Sequence, residues 1–362
     1  TGEPSGEMIA VAMARGMREI RPDVEFFGIG GERMARAGFS LVARTQGWAS
    51  VGHVDALSRI PKLLLVALRE VVRLRLRPVD LIVLVDFGAF NVRLARLLRT
   101  VGYRGAILCF FPPGAWLDNP QIARVVARTA RVLTAFEHQR DFYKSLGLDI
   151  GYVGHPLVSL VEPRARRELA PFDGGVVALL PGSRIPEVRR HLARLFEAVA
   201  LVREARPHLG VVVSVADSTV AALVETIVRE SGMSGVRMVN GAREALDVAD
   251  VAFVASGTAV LEAALREVPT VAMYVLPDAQ ARIARRIYHG KYVTLPNLLL
   301  DRALVPELLQ ADASPQKLAQ AAMPLLLDPS EQIAGMREVR ARLGPVDALE
   351  RCAAFALNVA TA

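Results

Sequence analysis

Val254-Ala255-Ser256-Gly257-Thr258-Ala259-Val260-Leu261-Glu262-Ala263-Ala264 decides the fold. The apolar run Val251–Ala255 that leads into it has the composition of a strand buried on both faces. Ser256-Gly257-Thr258 reads as a tight turn. A helix opens behind it, with Thr258 as N-cap and Glu262 one turn further in. Such a turn presents backbone N–H groups without intrahelical acceptors, which suits an anion such as a diphosphate. The carboxylate of Glu262 is placed to accept hydrogen bonds from a ribose. An ordinary βα connection accounts for the same residues equally well, so this segment alone does not separate the two.

Similar apolar runs recur along the chain. Strands are expected at Val24–Gly28, Leu81–Val85, Ala106–Phe110, Val132–Ala135, Ile150–Val153, Val176–Leu180, Gly210–Val215, Val236–Val239, Val251–Ala255 and Thr270–Met273. Each is short, rich in Val, Ile or Leu, and separated from the next by a helical pattern, the signature of a parallel sheet covered on both faces. Ten strands split into two doubly wound halves, and ligands of such folds bind at the carboxyl ends of the strands. The boundary is expected in Glu162–Gly175, a polar stretch bearing Pro and Gly before a fresh strand.

At 362 residues and 52% hydrophobic content, the chain exceeds one ordinary core and has ample material for two. No run of about 18 uninterrupted apolar residues suggests a membrane-spanning helix. Nothing reads as a signal peptide, and Thr1–Glu7 reads as a loop following a strand that lies before this numbering. The two cysteines, Cys109 and Cys352, lie far apart, which argues against a disulfide framework or zinc site and fits a reducing cytoplasm. The net charge of +7, with 6% aromatic residues and no nucleic-acid motif, points to phosphate or membrane-surface affinity rather than nucleic acid. No His/Cys/Asp cluster has metal-ligand spacing.

A second turn resembles the first. Val177–Leu180 leads into Pro181-Gly182-Ser183-Arg184, with Glu187 following. Gly182 lets the backbone approach a ligand, and Arg184 offers a bidentate fork to a diphosphate. Alone it reads as a βα turn with a surface Arg; paired with Ser256–Glu262 at the same sheet edge, it surrounds a nucleotide. In Tyr292–Leu300 and Val305–Gln310, Asn297 either satisfies local backbone or hydrogen-bonds a sugar or base. In the amino-terminal half, Gly2–Glu7 and Gly28–Gly31 are Gly-bearing loops opening helices. Asp86 ends the strand Leu81–Val85, where it serves either as a general base toward an attacking hydroxyl or as an N-cap. His155 reads as a buried junction residue more than a catalytic one. Ile60–Arg77 is apolar with a basic flank: either a core helix with a solvated Arg edge, or, through Lys62–Arg77, an interfacial helix on an anionic leaflet.

In order, these segments resemble the lipid-A-disaccharide synthase family. Its GEASGD-like opening, GIGG loop, SVMGL-like stretch and DAPDFN-like strand end correspond to Gly2–Glu7, Gly28–Gly31, Ser50–Val54 and Asp86–Asn91. Its GHP, LLPGSR, ASGTATLEA, YVSLPNLL and VPELLQ-like runs correspond to Gly154–Pro156, Leu179–Arg184, Ala255–Ala263, Tyr292–Leu300 and Val305–Gln310. The resemblance implies an α/β GT-B fold, two doubly wound Rossmann-like domains facing across a cleft. Residues 1–162 would form the acceptor side and 163–341 the nucleotide-sugar domain, with 342–362 packing back onto the first.

The implied chemistry is an inverting, metal- and cofactor-independent transfer of 2,3-diacylglucosamine from UDP to 2,3-diacylglucosamine 1-phosphate, giving a β-1,6-linked disaccharide. The implied place is the cytoplasmic face of the inner membrane, by peripheral attachment. Donor-site positions carried over are Gly182, Ser183, Arg184, Ser256, Gly257, Thr258, Glu262, Asn297 and Gln310. Arg184 and the Ser256–Thr258 amides would stabilise departing UDP, and Asp86 matches the essential acidic residue. Glu3, Ser5, Gly6 and Trp116 fall on the acceptor side. The chain departs from the family at Glu7, at Ala89 (a second Asp in the family), in the loop Phe111–Asn119 and in Leu276–Ala281, so its donor half is the better kept. Rival readings are a related transferase with another acceptor, a UDP-N-acetylglucosamine 2-epimerase, and a non-catalytic nucleotide-sugar binder. The sequence leaves the oligomeric state open.

Overall fold

A computed structural model describes residues 1–45, 53–113, 119–164 and 174–361. The chain forms two compact units, one of Thr1–Leu160 with Leu343–Ala362, the other of Val161–Arg342.

In the first unit, β1 (Phe27–Gly30) and β2 (Ser40–Arg44) form a parallel ribbon. Strands β3 (Leu81–Val85), β4 (Ala106–Phe110), β5 (Arg131–Thr134) and β6 (Gly151–Tyr152) form a separate parallel sheet in that order. A cavity of about 620 Å³ is lined by β1, β3 and the helix Pro4–Ile20, among others Met13, Met17, Phe27 and Val83. The helix Ala348–Thr361 belongs to this unit and packs on Pro4–Ile20, where Cys352 Sγ lies 3.4 Å from Met13 Sδ. Gly16 makes that approach possible, since a Cβ there would stand 3.1 Å from Ala353 Cβ.

The second unit carries β7 (Val176–Leu180), β8 (Gly210–Val215), β9 (Val236–Asn240), β10 (Val251–Ala255), β11 (Thr270–Tyr274) and β12 (Glu307–Leu309). All pair in parallel, in the order β12-β11-β10-β7-β8-β9. Alternate residues of each strand serve opposite faces. Val177, Leu179, Val211, Phe253 and Met273 pack with Leu192, Leu195 and Leu318 on one side. Val176, Ala178, Leu180, Ala252 and Val254 pack with Leu246, Val260 and Ala263 on the other. Because both faces are covered there, the inner strands β7, β8, β10 and β11 read as apolar runs. Fully burying each Val or Leu contributes about 1.5–3 kcal/mol.

The first strand is displaced from its expected place at Val24–Gly28 to Phe27–Gly30. Two strands, β2 and β12, were not expected at all. Both are short and lie at sheet edges, β12 having only three residues.

Candidate functional site

The order of strands places the two turns. The chain runs β7 to β8 to β9 along one side, then returns to lay β10 against the free edge of β7. The switch point of the sheet therefore lies between β7 and β10, with Leu180 in register with Val254. Pro181–Arg184 leaves the carboxyl end of β7 and Ser256–Thr258 that of β10, so neighbouring strands launch both turns from one edge.

The β7 turn is built around Glu187. Gly182 has φ +112°, and a Cβ there would stand 2.6 Å from Glu187 Oε2, so only glycine fits on both counts. Arg184 caps the helix Ile185–Ala205 through its backbone, and Pro186 pre-sets the first turn. Glu187, buried, reaches back to accept the Ser183 N–H at 3.2 Å through Oε2 and Arg184 Nη1 at 2.9 Å through Oε1. The Tyr274 hydroxyl at the end of β11 donates to the same Oε1 at 2.7 Å. His191, fully buried, bonds Pro181 O at 2.9 Å through Nδ1 and accepts the Val275 N–H at 3.1 Å through Nε2. Nδ1 therefore carries the proton, and burial holds the ring's pKa below the ordinary histidine value.

At the β10 turn, the first residue of the helix Thr258–Leu265 is Thr258 itself, and Gly257 is the cap, with no side-chain capping bond. The expected Thr258 N-cap is thus replaced: Gly257 has φ +152°, open to glycine rather than to Thr. Ser256 N–H is spent on Met273 O at 2.9 Å, which takes it out of the expected set of donor amides. The amides of Thr258 and Ala259, at the first turn, have no intrahelical acceptor by helix geometry. No atom would lie within 4 Å of a Cβ on Gly257, so a ligand can approach its backbone. Glu262 lies one turn in, 3.8 Å from Arg266 Nε, while Arg266 Nη1 bonds Asp247 at 2.6 Å.

The Tyr292–Gln310 stretch is locked internally. Asn297 is buried, its Nδ2 donating to Val305 O and Glu307 Oε1, both at 2.8 Å, and its Oδ1 accepting Val305 N–H at 2.8 Å. Of the two readings the sequence offered, the geometry matches satisfaction of local groups. Glu307 also accepts the Val293 and Thr294 N–H groups, both at 2.9 Å, and so staples this loop to β12. Gln310 has φ +55°, and with its amide oriented to suit, it pairs with the Leu276 N–H at 3.0 Å and C=O at 3.1 Å.

In the first unit, strain gathers at the ends of β3 and β4. Asp86, Phe87 and Phe111 have φ of +54°, +47° and +56°, left-handed values for residues other than glycine. Each costs about 1–3 kcal/mol, and such strain clusters at functional sites. Asp86 N–H bonds Phe110 O at 3.1 Å, and its carboxylate accepts the Phe87 N–H at 2.8 Å. Burial raises its pKa above the usual carboxylate value, with the Phe87 bond opposing. Gly6 faces Asp86, and a Cβ at Gly2 would overlap the Phe87 ring. Ser5 and Gly6 lie within the first turn of a helix that already starts at Pro4, with Glu3 as its cap. Glu7 is buried and structural, accepting Gly31 N–H at 3.1 Å and Met34 N–H at 2.7 Å.

His155 is buried between Phe111 and Phe136 and accepts the Leu157 N–H at 3.2 Å. Desolvation pushes its pKa down to about 3. Trp116 lies outside the described residues. Among the described residues, no three His, Cys, Asp or Glu side chains converge to hold a metal.

Two parallel-sheet units, the second with its turns at a switch point, define an α/β protein of the GT-B class. The S. aureus MnaA–UDP co-structure matches 96% of this chain and 92% of its own at TM-score 0.63 and 10% identity. A UDP-GlcNAc 2-epimerase from Neisseria meningitidis, bound to UDP-GlcNAc, matches 92% of this chain and 100% of its own at TM-score 0.59 and 8% identity. At such identities the likeness speaks to fold alone. Sequence carries the rest. The family model for lipid-A-disaccharide synthetase matches residues 1–353. The lipid-A-disaccharide synthase of Myxococcus xanthus is 33% identical over 99% of this chain and 96% of its own length. That of Aromatoleum aromaticum is 38% identical over 88% of this chain and 84% of its own. The chain belongs to the lipid-A-disaccharide synthase family and is a glycosyltransferase of lipid A biosynthesis.

Proposed function

We propose that the enzyme transfers 2,3-diacylglucosamine from UDP to the 6-hydroxyl of 2,3-diacylglucosamine 1-phosphate. The observation that carries this reading is the adjacency of β7 and β10 with a glycine turn at each carboxyl end. The second unit takes the donor. Its diphosphate lies at the open Gly257 backbone and the Thr258 and Ala259 amides, with Arg184 at its side and Glu262 on the ribose. Asn297, its amide committed, holds Glu307 and the loop rather than the sugar. The first unit takes the acceptor, near Glu3, Ser5 and Gly6. The acceptor oxygen bonds the anomeric carbon from the face opposite UDP. The carbon–oxygen bond to UDP breaks with its electron pair, and Asp86 takes or orients the hydroxyl proton. Negative charge grows on UDP as that bond lengthens, so Arg184 and the helix amides act more strongly on the transition state than on the bound donor.

We further propose that the first unit sits on an anionic membrane surface. In the helix His53–Leu76, Ala67, Val71 and Leu74 are buried, yet Leu64, Leu65, Leu68, Val72 and Leu76 are exposed. Such a contiguous apolar stripe is more than scattered exposure. Lys62, Arg69, Arg75 and Arg77 flank it, exposed. Arg73 is otherwise engaged, paired with buried Glu70 at 2.7 Å and stacked over Phe27. Among the described residues no helix is long and apolar enough to cross a membrane.

The test is calorimetry with UDP alongside mass spectrometry of the disaccharide product. Arg184→Ala should weaken UDP binding and cut turnover at least tenfold while the fold persists. Absence of UDP affinity in the wild type would end the reading, and an epimer formed from UDP-N-acetylglucosamine alone would move it to the rival activity.

A further inference from the structure

Arg184 is useful to a diphosphate only if its guanidinium is already aimed, because a free arginine has about 2 kcal/mol of rotamer entropy to lose. The residues that aim it lie outside the motif. Glu187 Oε1 is shared by Arg184 Nη1 at 2.9 Å and the Tyr274 hydroxyl at 2.7 Å, and Oε2 holds the Ser183 N–H at 3.2 Å. Tyr274 is the last residue of β11, and β10 separates β11 from β7. Its ring therefore reaches past the end of β10 to the helix that follows β7. The ring rests against His191 at 5.1 Å between centroids. His191 is itself pinned at both nitrogens, to Pro181 O and to the Val275 N–H. Nothing in this chain of contacts can turn without breaking a hydrogen bond.

We infer that Tyr274 is a positioning residue for the transfer, acting together with Glu187 to fix the Arg184 guanidinium at the β7 turn. The inference rests on the donor-site reading of Arg184. Burial and the neighbouring Glu187 carboxylate raise the Tyr274 pKa, against the Arg184 guanidinium that also bonds the hydroxyl, so the hydroxyl remains a donor throughout the neutral range. Glu187 cannot swing away toward solvent, since its side chain is 7% exposed.

UDP resembles the leaving group with its charge developed, so UDP affinity reads how well Arg184 is aimed. Four proteins are compared by calorimetry with UDP and by steady-state kinetics: wild type, Tyr274→Phe, Arg184→Ala and the double variant. Tyr274→Phe removes one oxygen, and a hydrogen bond to a charged group is at stake, so UDP affinity and kcat should each fall about tenfold. KM for the donor should move less than twofold. In the Arg184→Ala background the same substitution should have no further effect. Glu187→Asp, which withdraws the carboxylate from both partners, should reproduce the pattern if Tyr274→Phe folds poorly. A Tyr274→Phe loss of the same factor in both backgrounds would mean ordinary packing and overturn the inference. An Arg184→Ala protein with wild-type UDP affinity would instead sink the donor-site reading beneath it.

Discussion

Replacing Gly182 by alanine should damage stability and ligand binding together, whereas replacing Gly257 should damage mainly binding. At Gly182 the backbone has φ +112°, and alanine there costs about 1–3 kcal/mol of strain. Reduced freedom of the unfolded chain returns only about 0.4–1 kcal/mol. The new methyl also stands 2.6 Å from Glu187 Oε2 and 2.9 Å from Glu187 Cβ, so the carboxylate that holds Ser183, Arg184 and Tyr274 must shift. A net loss of about 2–3 kcal/mol follows, which for a unit of this size lowers Tm by roughly 5–10 °C. At Gly257 (φ +152°) the methyl meets no atom within 4 Å, leaving backbone strain alone. The methyl there projects into the space proposed for the diphosphate. Differential scanning calorimetry and UDP titration of both variants separate the cases. Gly182→Ala should show the larger fall in Tm and at least a tenfold loss of UDP affinity, and Gly257→Ala a similar affinity loss with the smaller fall. A Gly182→Ala protein with unchanged Tm and unchanged affinity would mean that Glu187 does not hold the turn together.

Three more expectations concern the first unit. Asp86→Asn should reduce kcat by about 10²–10⁴-fold, the span of general-base contributions, without altering UDP affinity; unaltered turnover would remove Asp86 from the chemistry. His155 titrates near 3 when folded and near 6.5 when unfolded, so the unfolded chain binds more protons between those values. Stability should be intact above about pH 6.5 and decline toward pH 3, by at most about 4–5 kcal/mol from this group. His155→Asn, which can still accept the Leu157 N–H, should flatten that acid limb in urea titrations at several pH values, and an equally steep limb would exonerate His155. Finally, Leu65→Ser/Leu68→Ser/Val72→Ser should release the protein from anionic vesicles in co-sedimentation, and Arg69→Ala/Arg75→Ala should do so mainly at higher salt; equal pelleting of all forms would disprove the membrane seat.

The fold was legible because the central strands of its sheets are buried on both faces. Such strands show as apolar runs, and the nine strands from β3 to β11 all fall within a residue of their expected limits. The misjudged ones lack that signal: Phe27–Gly30 is half glycine, Ser40–Arg44 is only partly buried, and Glu307–Leu309 is three residues on an edge. Site residues were legible where chemistry is local, as in Pro181–Arg184 and Ser256–Thr258. What escaped is long-range. Tyr274 meets Glu187 across 87 positions, and Glu307 reaches back 10 to 14 positions to the Val293–Asn297 loop. No spacing rule marks such partners. Asn297 shows the converse: its motif was conspicuous, yet its amide is consumed within its own loop.

The helix Ala348–Thr361 has a bearing on how the molecule is made. It is synthesised after Thr1–Leu160 of its own unit, to which it is joined at Gly16, at Ser159 (whose hydroxyl accepts the Leu349 N–H at 3.2 Å) and at Gly151, which leaves room for the Phe355 ring. The unit of Val161–Arg342, by contrast, is continuous in sequence. On the ribosome, Val161–Arg342 can therefore mature first, while Thr1–Leu160 waits, apolar surface uncovered, for the helix Ala348–Thr361 to emerge. A stop codon near residue 343 should leave one folded body and one sticky, protease-sensitive one.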